Sequence, residues 1–187
     1  MTGDKTGPAR LPGDPTREEV LARMVRVDQA GEYGAKRIYA GQIAVLGDTA
    51  DGPVLRHMAE QEQVHLDYFN KAVGDRHVRP TLLQPLWHVG GFALGAATAL
   101  LGREAAMACT VAVEEVIDEH YAAQAEALKA EGIEPELREK IETFRAEEIE
   151  HRDIGLANNA EQAPGYELLT AGVKRLSRAA IWLAERV

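Results

Sequence analysis

Cysteine is almost absent from this chain, which has a single cysteine, Cys109, in 187 residues. One thiol excludes an intramolecular disulfide, a cysteine zinc site and an iron–sulfur cluster, and Cys109 is best interpreted as a small buried residue. Positive charge is also scarce, with 21 Lys and Arg against 30 Asp and Glu and a formal net charge of −9. This balance offers no basic face for phosphates, so no nucleic-acid partner is expected.

The sequence also lacks runs of β-branched residues with alternating polarity, so no β-sheet is expected. The first sixteen residues contain three prolines and three glycines but lack the apolar core of a signal peptide. Their acidic residues, Asp4 and Asp14, are atypical of an arginine-rich transit peptide. We therefore expect residues 1–16 to form a disordered leader and residues 17–187 to form one domain.

Helical periodicity is what the sequence does have, interrupted by short groups of glycine and proline. Thr16 followed by Glu18 and Glu19 predicts the start of a first helix, which should reach about Leu46. Five more helices are expected, over about 54–73, 86–101, 103–131, 136–158 and from the residue after Pro164 to the C terminus. The predicted fold class is all-α.

The two halves of this helical region resemble each other. A shift of 82 residues places Glu32 on Glu114 and Tyr39 on Tyr121. A shift of 86 residues aligns two Glu-x-x-His motifs that follow them. Helices rich in alanine and glutamate produce such matches by chance, but three matched features in the same order favour a duplicated helix hairpin.

The two Glu-x-x-His motifs predict a metal site. Residues three apart project from one helical face, although one such pair is more often solvated than ligating. Two pairs, each preceded by a helix with an inward glutamate, match ferritin-like four-helix bundles with di-iron sites. At ~1.5 Å per residue, all four sets lie ~20–28 Å from their hairpin turns and can meet at one level. The predicted ligands are Glu32, Glu62, His65, Glu114, Glu148 and His151.

The predicted ligand types are informative about the metal. Four carboxylates and two imidazoles suit iron or manganese better than copper, and four negative charges balance two divalent ions. Four buried glutamates without cations would be very costly. Either metals are bound or, as the alternative, these glutamates face water.

Several acidic residues lie near the predicted ligands in sequence, and only some of them share a helical face with a ligand. Asp28 and Asp118 lie four residues from an inward glutamate, and we expect hydrogen bonding around the ligands from them rather than metal binding. Glu147 precedes a ligand and either orients a histidine of the other half or faces solvent. Glu115 and Glu119 lie off the Glu114 face and are expected to be solvated.

Tyr39 and Tyr121 each follow an inward glutamate by seven residues, so both should face the bundle interior. Core packing is the usual role of such tyrosines. A redox role for Tyr121 is the alternative.

Residues 80–102 form a run of 23 residues without a charged side chain. The run could span a bilayer by length. Its four glycines and two prolines, and its place between helices that must reach one site, favour a crossover helix instead. The crossover is apolar nearly all round, and the last helix is amphipathic, with Lys174 and Arg178 beside Leu176 and Trp182. This combination suits a membrane surface, with an oligomer interface as the alternative.

Five segments carry a family resemblance: RVDQAGEYGAKRIYAGQ (26–42), EQEQVHL (60–66), the apolar run (79–102), ACTVAVEE (108–115) and FRAEEIEHRDIGLAN (144–158). They resemble the demethoxyubiquinone hydroxylase family, and the similarity covers about residues 20–187. The resemblance implies a di-iron monooxygenase of ubiquinone biosynthesis with dioxygen as co-substrate. Its substrate would be a polyprenyl methoxy-methyl benzoquinone or quinol. The family's six iron ligands fall on the predicted set.

The resemblance also implies an external electron donor, because the chain has no flavin or nicotinamide fingerprint. NADH is the candidate reductant, and His120 and Tyr121 are the candidate catalytic residues on the electron route. The family is peripheral on membranes, and the leader favours the cytoplasmic face of a bacterial inner membrane. Further candidate partners are the membrane lipid surface, a lipid-presenting or ubiquinone-biosynthesis protein, and a second copy of the chain.

Two rival functions stay open at the level of sequence. The first keeps the fold and assigns ferritin- or rubrerythrin-like iron oxidation or peroxide removal. The second is a metal-free lipid-binding or scaffold protein, which would leave the two Glu-x-x-His motifs unexplained.

Overall fold

A computed structural model of the protein describes residues 11–187, and every regular element in that range is a helix. The predicted leader lies largely in residues 1–10, outside the described residues. The helices are α1 (Arg17–Leu46), α2 (Gly52–Asp75), α3 (Gln84–Leu100), α4 (Arg103–Glu131), α5 (Pro135–Ala157) and α6 (Tyr166–Ala184), with a short 3₁₀ turn at Ala160–Gln162. All six predicted helices are confirmed, and α6 ends at Ala184 rather than at the C terminus.

Local chemistry sets the ends of these helices. The Thr16 hydroxyl accepts a hydrogen bond from the Glu19 backbone N–H at 3.2 Å, and the Glu19 carboxylate accepts one from the Thr16 N–H at 2.7 Å. This reciprocal pair caps α1. Gly102, at φ 124°, separates α3 from α4, and Gly132, at φ 64°, ends α4. Glycine adopts such positive φ angles without the steric cost that a side chain brings.

Four helices, α1, α2, α4 and α5, form the bundle. The Gln42 side-chain amide on α1 donates to the Ala106 carbonyl on α4 at 3.0 Å, whereas the Gln124 amide on α4 donates to Asp28 on α1 at 2.7 Å. The reversed order of these contacts means that α1 and α4 run antiparallel. Each hairpin, α1–α2 and α4–α5, closes through a short turn, and α3 crosses between them. The predicted ferritin-like arrangement is confirmed.

The crossover helix α3 lies directly on α1. A Cβ added at Gly95 would stand 1.9 Å from the Ile38 carbonyl oxygen, and one at Gly41 would stand 2.2 Å from that of Phe92. These glycines let the two backbones approach more closely than any side chain would permit. The contact holds α3 against the face of α1 that leads to the predicted ligands.

The last helix, α6, lies on α4 and corrects one expectation. Glu115 is partly buried and pairs with Lys174 of α6, whereas Glu119 stays exposed as expected and pairs with Arg178 at 2.9 Å. Long-range packing decides this, because position on α4 alone does not reveal the basic helix beside it. Cys109 is fully buried, as predicted, and burial raises the pKa of its thiol to about 12.

The outer face of α3 and part of α6 expose large apolar side chains. Leu86, Val89 and Leu100 on α3 are 54%, 66% and 76% exposed, and Leu176 and Trp182 on α6 are 61% and 54% exposed. Scattered apolar residues are ordinary on surfaces, but a continuous face of this kind marks an interaction surface. Within residues 11–187, no helix combines the length and apolarity needed to cross a membrane.

Candidate metal centre

The structure brings all six predicted ligands together in the core of the bundle. Each is at most 1% exposed, so the alternative in which the glutamates face water is excluded. They form two groups whose ligand atoms lie within 4.8 Å of one another, and two glutamates belong to both groups. One group comprises Glu32, Glu62, His65 and Glu148, and the other comprises Glu62, Glu114, Glu148 and His151. These buried groups could hold two metal ions, with the shared carboxylates between them.

The hydrogen bonding of this cluster shows that cations fit it. Among the described residues, six buried ligand atoms have no hydrogen-bond partner: Glu32 Oε2, both carboxylate oxygens of Glu62, Glu114 Oε2, Glu148 Oε2 and His151 Nδ1. A buried carboxylate oxygen without a partner is costly, and a divalent cation removes that cost. The oxygen and imidazole donors match iron and manganese in ligand chemistry.

His65 is held from both sides. Its Nδ1 lies 3.0 Å from Glu148 Oε1 and 3.4 Å from Glu32 Oε2, inside the ligand cluster. Its Nε2 lies 2.5 Å from Glu147 Oε2, on the side away from the cluster. Of the two interpretations of Glu147, the structure therefore supports the one in which it orients a histidine of the other half. Such an outer carboxylate fixes the ring and its tautomer.

His151 repeats this arrangement in the second half. Its Nδ1 lies 3.2 Å from Glu62 Oε1, and its Nε2 lies 3.0 Å from the side-chain oxygen of Gln61. Gln61 precedes Glu62 as Glu147 precedes its own ligand glutamate, so the two outer partners occupy equivalent places in the repeat. Gln61 was missed from the sequence, and its position before a predicted ligand was the available signal.

Two tyrosines form hydrogen bonds that connect the two halves of the bundle. The Tyr39 hydroxyl donates to Glu114 Oε1 at 2.8 Å, and the Tyr121 hydroxyl donates to Glu32 Oε1. Each tyrosine therefore bonds the inward glutamate of the opposite half, rather than the one that precedes it on its own helix. Both tyrosines face inward as predicted, and the exchange agrees with a duplicated hairpin related by an approximate two-fold axis.

The carboxylates of the cluster lie close together and away from water, which changes their pKa values. Burial, together with repulsion from Glu148, raises the pKa of Glu62 and of Glu114 well above the usual value. For His65, burial lowers the pKa, but hydrogen bonds to Glu148 and Glu32 outweigh burial and raise the pKa to about 12. Nearby cations would therefore be strongly favoured, because they can replace the protons that the cluster otherwise retains.

A mainly apolar cavity of about 310 Å³ adjoins the cluster, between α1, α3, α4 and α6. Trp87 and Gly91 of α3 and Ile181 of α6 contribute to its walls, and the exposed side chains of Leu86 and Leu176 also line it. Its acidic, histidine and tyrosine side chains are Asp28, Glu32, His120 and Tyr121. The cavity therefore connects the exposed apolar face to a predicted metal ligand.

The two aspartates predicted to surround the ligands differ in position. Asp28 is buried at the cavity and accepts a hydrogen bond from Gln124. Asp118 instead pairs with Arg145 at 2.5 Å, so its predicted hydrogen bonding to the ligands is wrong. The arginine comes from α5, and its proximity depends on how the two helices pack.

A four-helix bundle with paired carboxylate and histidine sets in its core defines the ferritin-like class of proteins able to hold two metal ions. The chain matches the family model described as ubiquinone biosynthesis protein COQ7 over residues 19–184. The chain therefore belongs to this family, and the resemblance predicted from the sequence is confirmed.

Individual relatives agree with this membership. The chain is 58% identical over 187 residues to the 3-demethoxyubiquinol 3-hydroxylase of Rhodospirillum rubrum, covering 100% of this chain and 87% of the relative. It is 56% identical over 176 residues to the human mitochondrial NADPH-dependent 3-demethoxyubiquinone 3-hydroxylase, covering 93% and 81%. It is 44% identical over 182 residues to the Saccharomyces cerevisiae mitochondrial 5-demethoxyubiquinone hydroxylase, covering 89% and 78%.

Proposed function

We propose that the protein is a di-iron monooxygenase of ubiquinone biosynthesis. Its substrate is the demethoxy precursor of ubiquinone, a polyprenyl methoxy-methyl benzoquinone or quinol, which it hydroxylates on the ring. One observation carries the proposal: the walls of the apolar cavity include Glu32 and Tyr121, which are hydrogen-bonded to each other at the candidate metal centre. An apolar ring that fills the cavity therefore lies next to the ligands, as hydroxylation requires.

The six clustered side chains would hold two iron ions. Glu32, Glu62, His65 and Glu148 would hold one iron, and Glu62, Glu114, Glu148 and His151 would hold the other, because the fold assembles these two groups. When bound, the irons would supply the two-electron activation of dioxygen that ring hydroxylation needs.

The protein's own residues contribute positioning and exclusion of water. The cavity walls shield the ring, which suppresses side reactions with solvent. Tyr121 holds Glu32 through its hydroxyl and also lines the cavity, so it can pass a proton between the ring and that carboxylate. His120 lies beside it on the cavity wall, where its imidazole can bond a ring oxygen. These contacts support His120 and Tyr121 as the catalytic residues outside the ligand set.

The prenyl tail has its natural exit between α3 and α6. Leu86 and Leu176 line the cavity and are also exposed, so the cavity continues into the exposed apolar face. We propose that this face lies on a membrane, peripherally and on the cytoplasmic side of a bacterial inner membrane. A lipid-presenting partner or a second copy of the chain would cover the same face in the alternative case. Liposome flotation separates these cases, because a protein that stays at the bottom of the gradient excludes the membrane.

Electrons must come from outside the chain. The human relative is named as NADPH-dependent, and a reduced nicotinamide such as NADH is the proposed donor here, acting directly or through the quinone.

The decisive experiment measures iron content and hydroxylation of a short-tailed demethoxy quinone by the purified protein, with dioxygen and a reductant. About two irons per chain and a hydroxylated product are expected. Glu114→Ala and His151→Ala should lower iron content and abolish turnover while the helical signal survives. Full activity in either variant would contradict the ligand assignment. Two irons without turnover under any reductant would favour the ferritin- or rubrerythrin-like alternative.

A further inference from the structure

The two groups of the candidate metal centre have the same inner composition. Each contains three glutamates and one histidine, and two of the glutamates are shared. In each group the histidine presents its Nδ1 to the glutamates, and a tyrosine of the opposite half donates to the glutamate that is not shared. The ligand set by itself therefore gives no reason for one group to bind an ion more tightly than the other.

The outer partners of the two histidines differ, however. The shift of 86 residues that aligns His65 with His151 places Gln61 on Glu147. The Nε2 of His65 lies 2.5 Å from a carboxylate oxygen of Glu147, whereas the Nε2 of His151 lies 3.0 Å from the amide oxygen of Gln61. Equivalent places in the repeat therefore hold an acid behind one histidine and a neutral amide behind the other.

This difference changes the histidines as ligands. A histidine that binds a metal ion through Nδ1 keeps its proton on Nε2, so Nε2 donates to the outer oxygen. A hydrogen bond to a carboxylate is charge-assisted and roughly twice as strong as one to a neutral amide. The carboxylate also draws the proton away from the ring, which makes Nδ1 a more basic ligand. We therefore expect His65 to bind an ion more strongly than His151.

The negative charge of Glu147 acts in the same direction, because it attracts a cation bound to His65. Its side chain is 35% exposed, so water screens part of this attraction. Within residues 11–187, the only ion pair of Glu147 is the one with His65, so no lysine or arginine there neutralises it.

We propose that the two metal sites are unequal, and that the site containing His65 binds its ion more tightly and fills first. Glu147 is the positioning residue that sets this order, and Gln61 is its neutral counterpart. The expected difference in affinity is about tenfold, the lower end of what such outer partners contribute, because Glu147 is partly screened. The inference rests on the two-metal centre of the proposed function and is independent of the substrate.

The test is a titration of metal-free protein with manganese(II) under argon, since these ligands suit manganese as well as iron. Electron paramagnetic resonance of the free ion gives the two stepwise binding constants. Repulsion between the two bound ions also separates the steps, so variants are compared with the wild type. Glu147→Gln gives both histidines an amide partner. It should weaken the first step about fivefold and the second step less, because two weak sites replace one strong and one weak site.

Gln61→Glu is the complementary variant, since it gives both histidines an acid partner. It should strengthen the second step about fivefold, a gain that damage to the fold would not produce. The double variant, Gln61→Glu with Glu147→Gln, exchanges the two sites and should restore constants close to those of the wild type. Glu150→Gln is the matched control. Glu150 is an exposed glutamate of the same helix and, among the described residues, bonds neither histidine, so both constants should stay unchanged.

Each single variant can overturn the inference, even if the other fails to fold. Folded Glu147→Gln that leaves the first step unchanged, or that mainly weakens the second step, overturns it. Gln61→Glu that does not strengthen the second step overturns it as well, as does an equal effect of Glu150→Gln and Glu147→Gln. In these cases two bound irons and hydroxylation by the wild type would leave the proposed function intact. A wild-type protein that binds neither manganese nor iron would refute both.

Discussion

Removal of the metals should make the stability of this protein fall as pH rises, the reverse of the usual behaviour of carboxylates. In most proteins, paired carboxylates have lowered pKa values and stabilise the fold above about pH 5. Here burial, with repulsion from Glu148, raises the pKa of Glu62 and of Glu114 well above the ordinary value of 4.5. The metal-free cluster therefore retains protons that the unfolded chain has already released.

The direction of this pH dependence depends on how many protons the folded and unfolded states bind. Above pH 4.5 the folded state binds more protons than the unfolded chain, so the free energy of unfolding falls with rising pH. His65 acts in the same direction: its pKa of about 12 gives a contribution that is complete below 6.5 and declines above it. Glu148 acts oppositely, because its pKa of about 2 stabilises the fold above that pH. This stabilisation is complete above pH 4.5 and is lost only as the pH falls below 4.5, so it does not change between pH 5.5 and 7.5.

The magnitude follows from linkage. One excess proton in the folded state changes the free energy of unfolding by ~1.4 kcal/mol per pH unit. Retention of one proton by the Glu62–Glu114 region between pH 5.5 and 7.5 therefore lowers the free energy of unfolding by on the order of 2–3 kcal/mol. At about 2–4 °C per kcal/mol for a domain of this size, the melting temperature should drop by about 5–10 °C.

The assay is thermal unfolding, followed by circular dichroism at constant ionic strength, of chelator-treated protein at pH 5.5 and 7.5. Metal-loaded protein should lack the decline, because cations replace the retained protons. Metal-free Glu62→Gln is the control. The amide stays neutral at every pH, so the variant loses the penalty of keeping a proton on this side chain. At pH 7.5 it should therefore melt above metal-free wild type, although it no longer binds metal well. A metal-free wild-type melting temperature that is constant or rises from pH 5.5 to 7.5 would refute the reasoning.

Three further predictions concern the cavity, the outer partners of the histidines and α6. Gly31 lines the cavity and an added Cβ meets no described atom within 4 Å, so Gly31→Leu should cut hydroxylation more than about tenfold with iron retained. Gly74→Leu is the control. Gly74 does not line the cavity, and a Cβ added there also meets no described atom within 4 Å, so this variant should retain activity. Glu147→Ala should weaken metal binding by about ten- to a hundredfold in a metal titration, as should Gln61→Ala; unchanged affinities would contradict their orienting role. Arg178→Ala removes an ion pair that is about half exposed on each side, so denaturant unfolding should show a loss of ~1 kcal/mol or less. A loss above ~3 kcal/mol would mean that this pair is essential to the docking of α6.

The sequence by itself determined the helices and the identity of the six candidate ligands. Helix ends depend on nearby residues, such as Thr16 with Glu19 and the glycine at 132, and can be predicted from local chemistry. The spacing of Glu and His on one face, at matching distances from two turns, also follows from helical geometry alone. The depth and face of each predicted ligand therefore followed from the sequence, and the six side chains do lie together in two groups that share two glutamates.

Only the tertiary structure decided which side chains meet across helices. Periodicity gives the face of a helix, but not the helix that covers it. Three contacts could not be predicted for this reason. Tyr121 donates a hydrogen bond to Glu32 of the opposite half, Glu115 pairs with a lysine of α6, and Asp118 pairs with Arg145. The cavity exists only because α3 and α6 pack beside α1 and α4. These contacts join residues far apart in sequence, and their geometry is set by packing of the whole bundle.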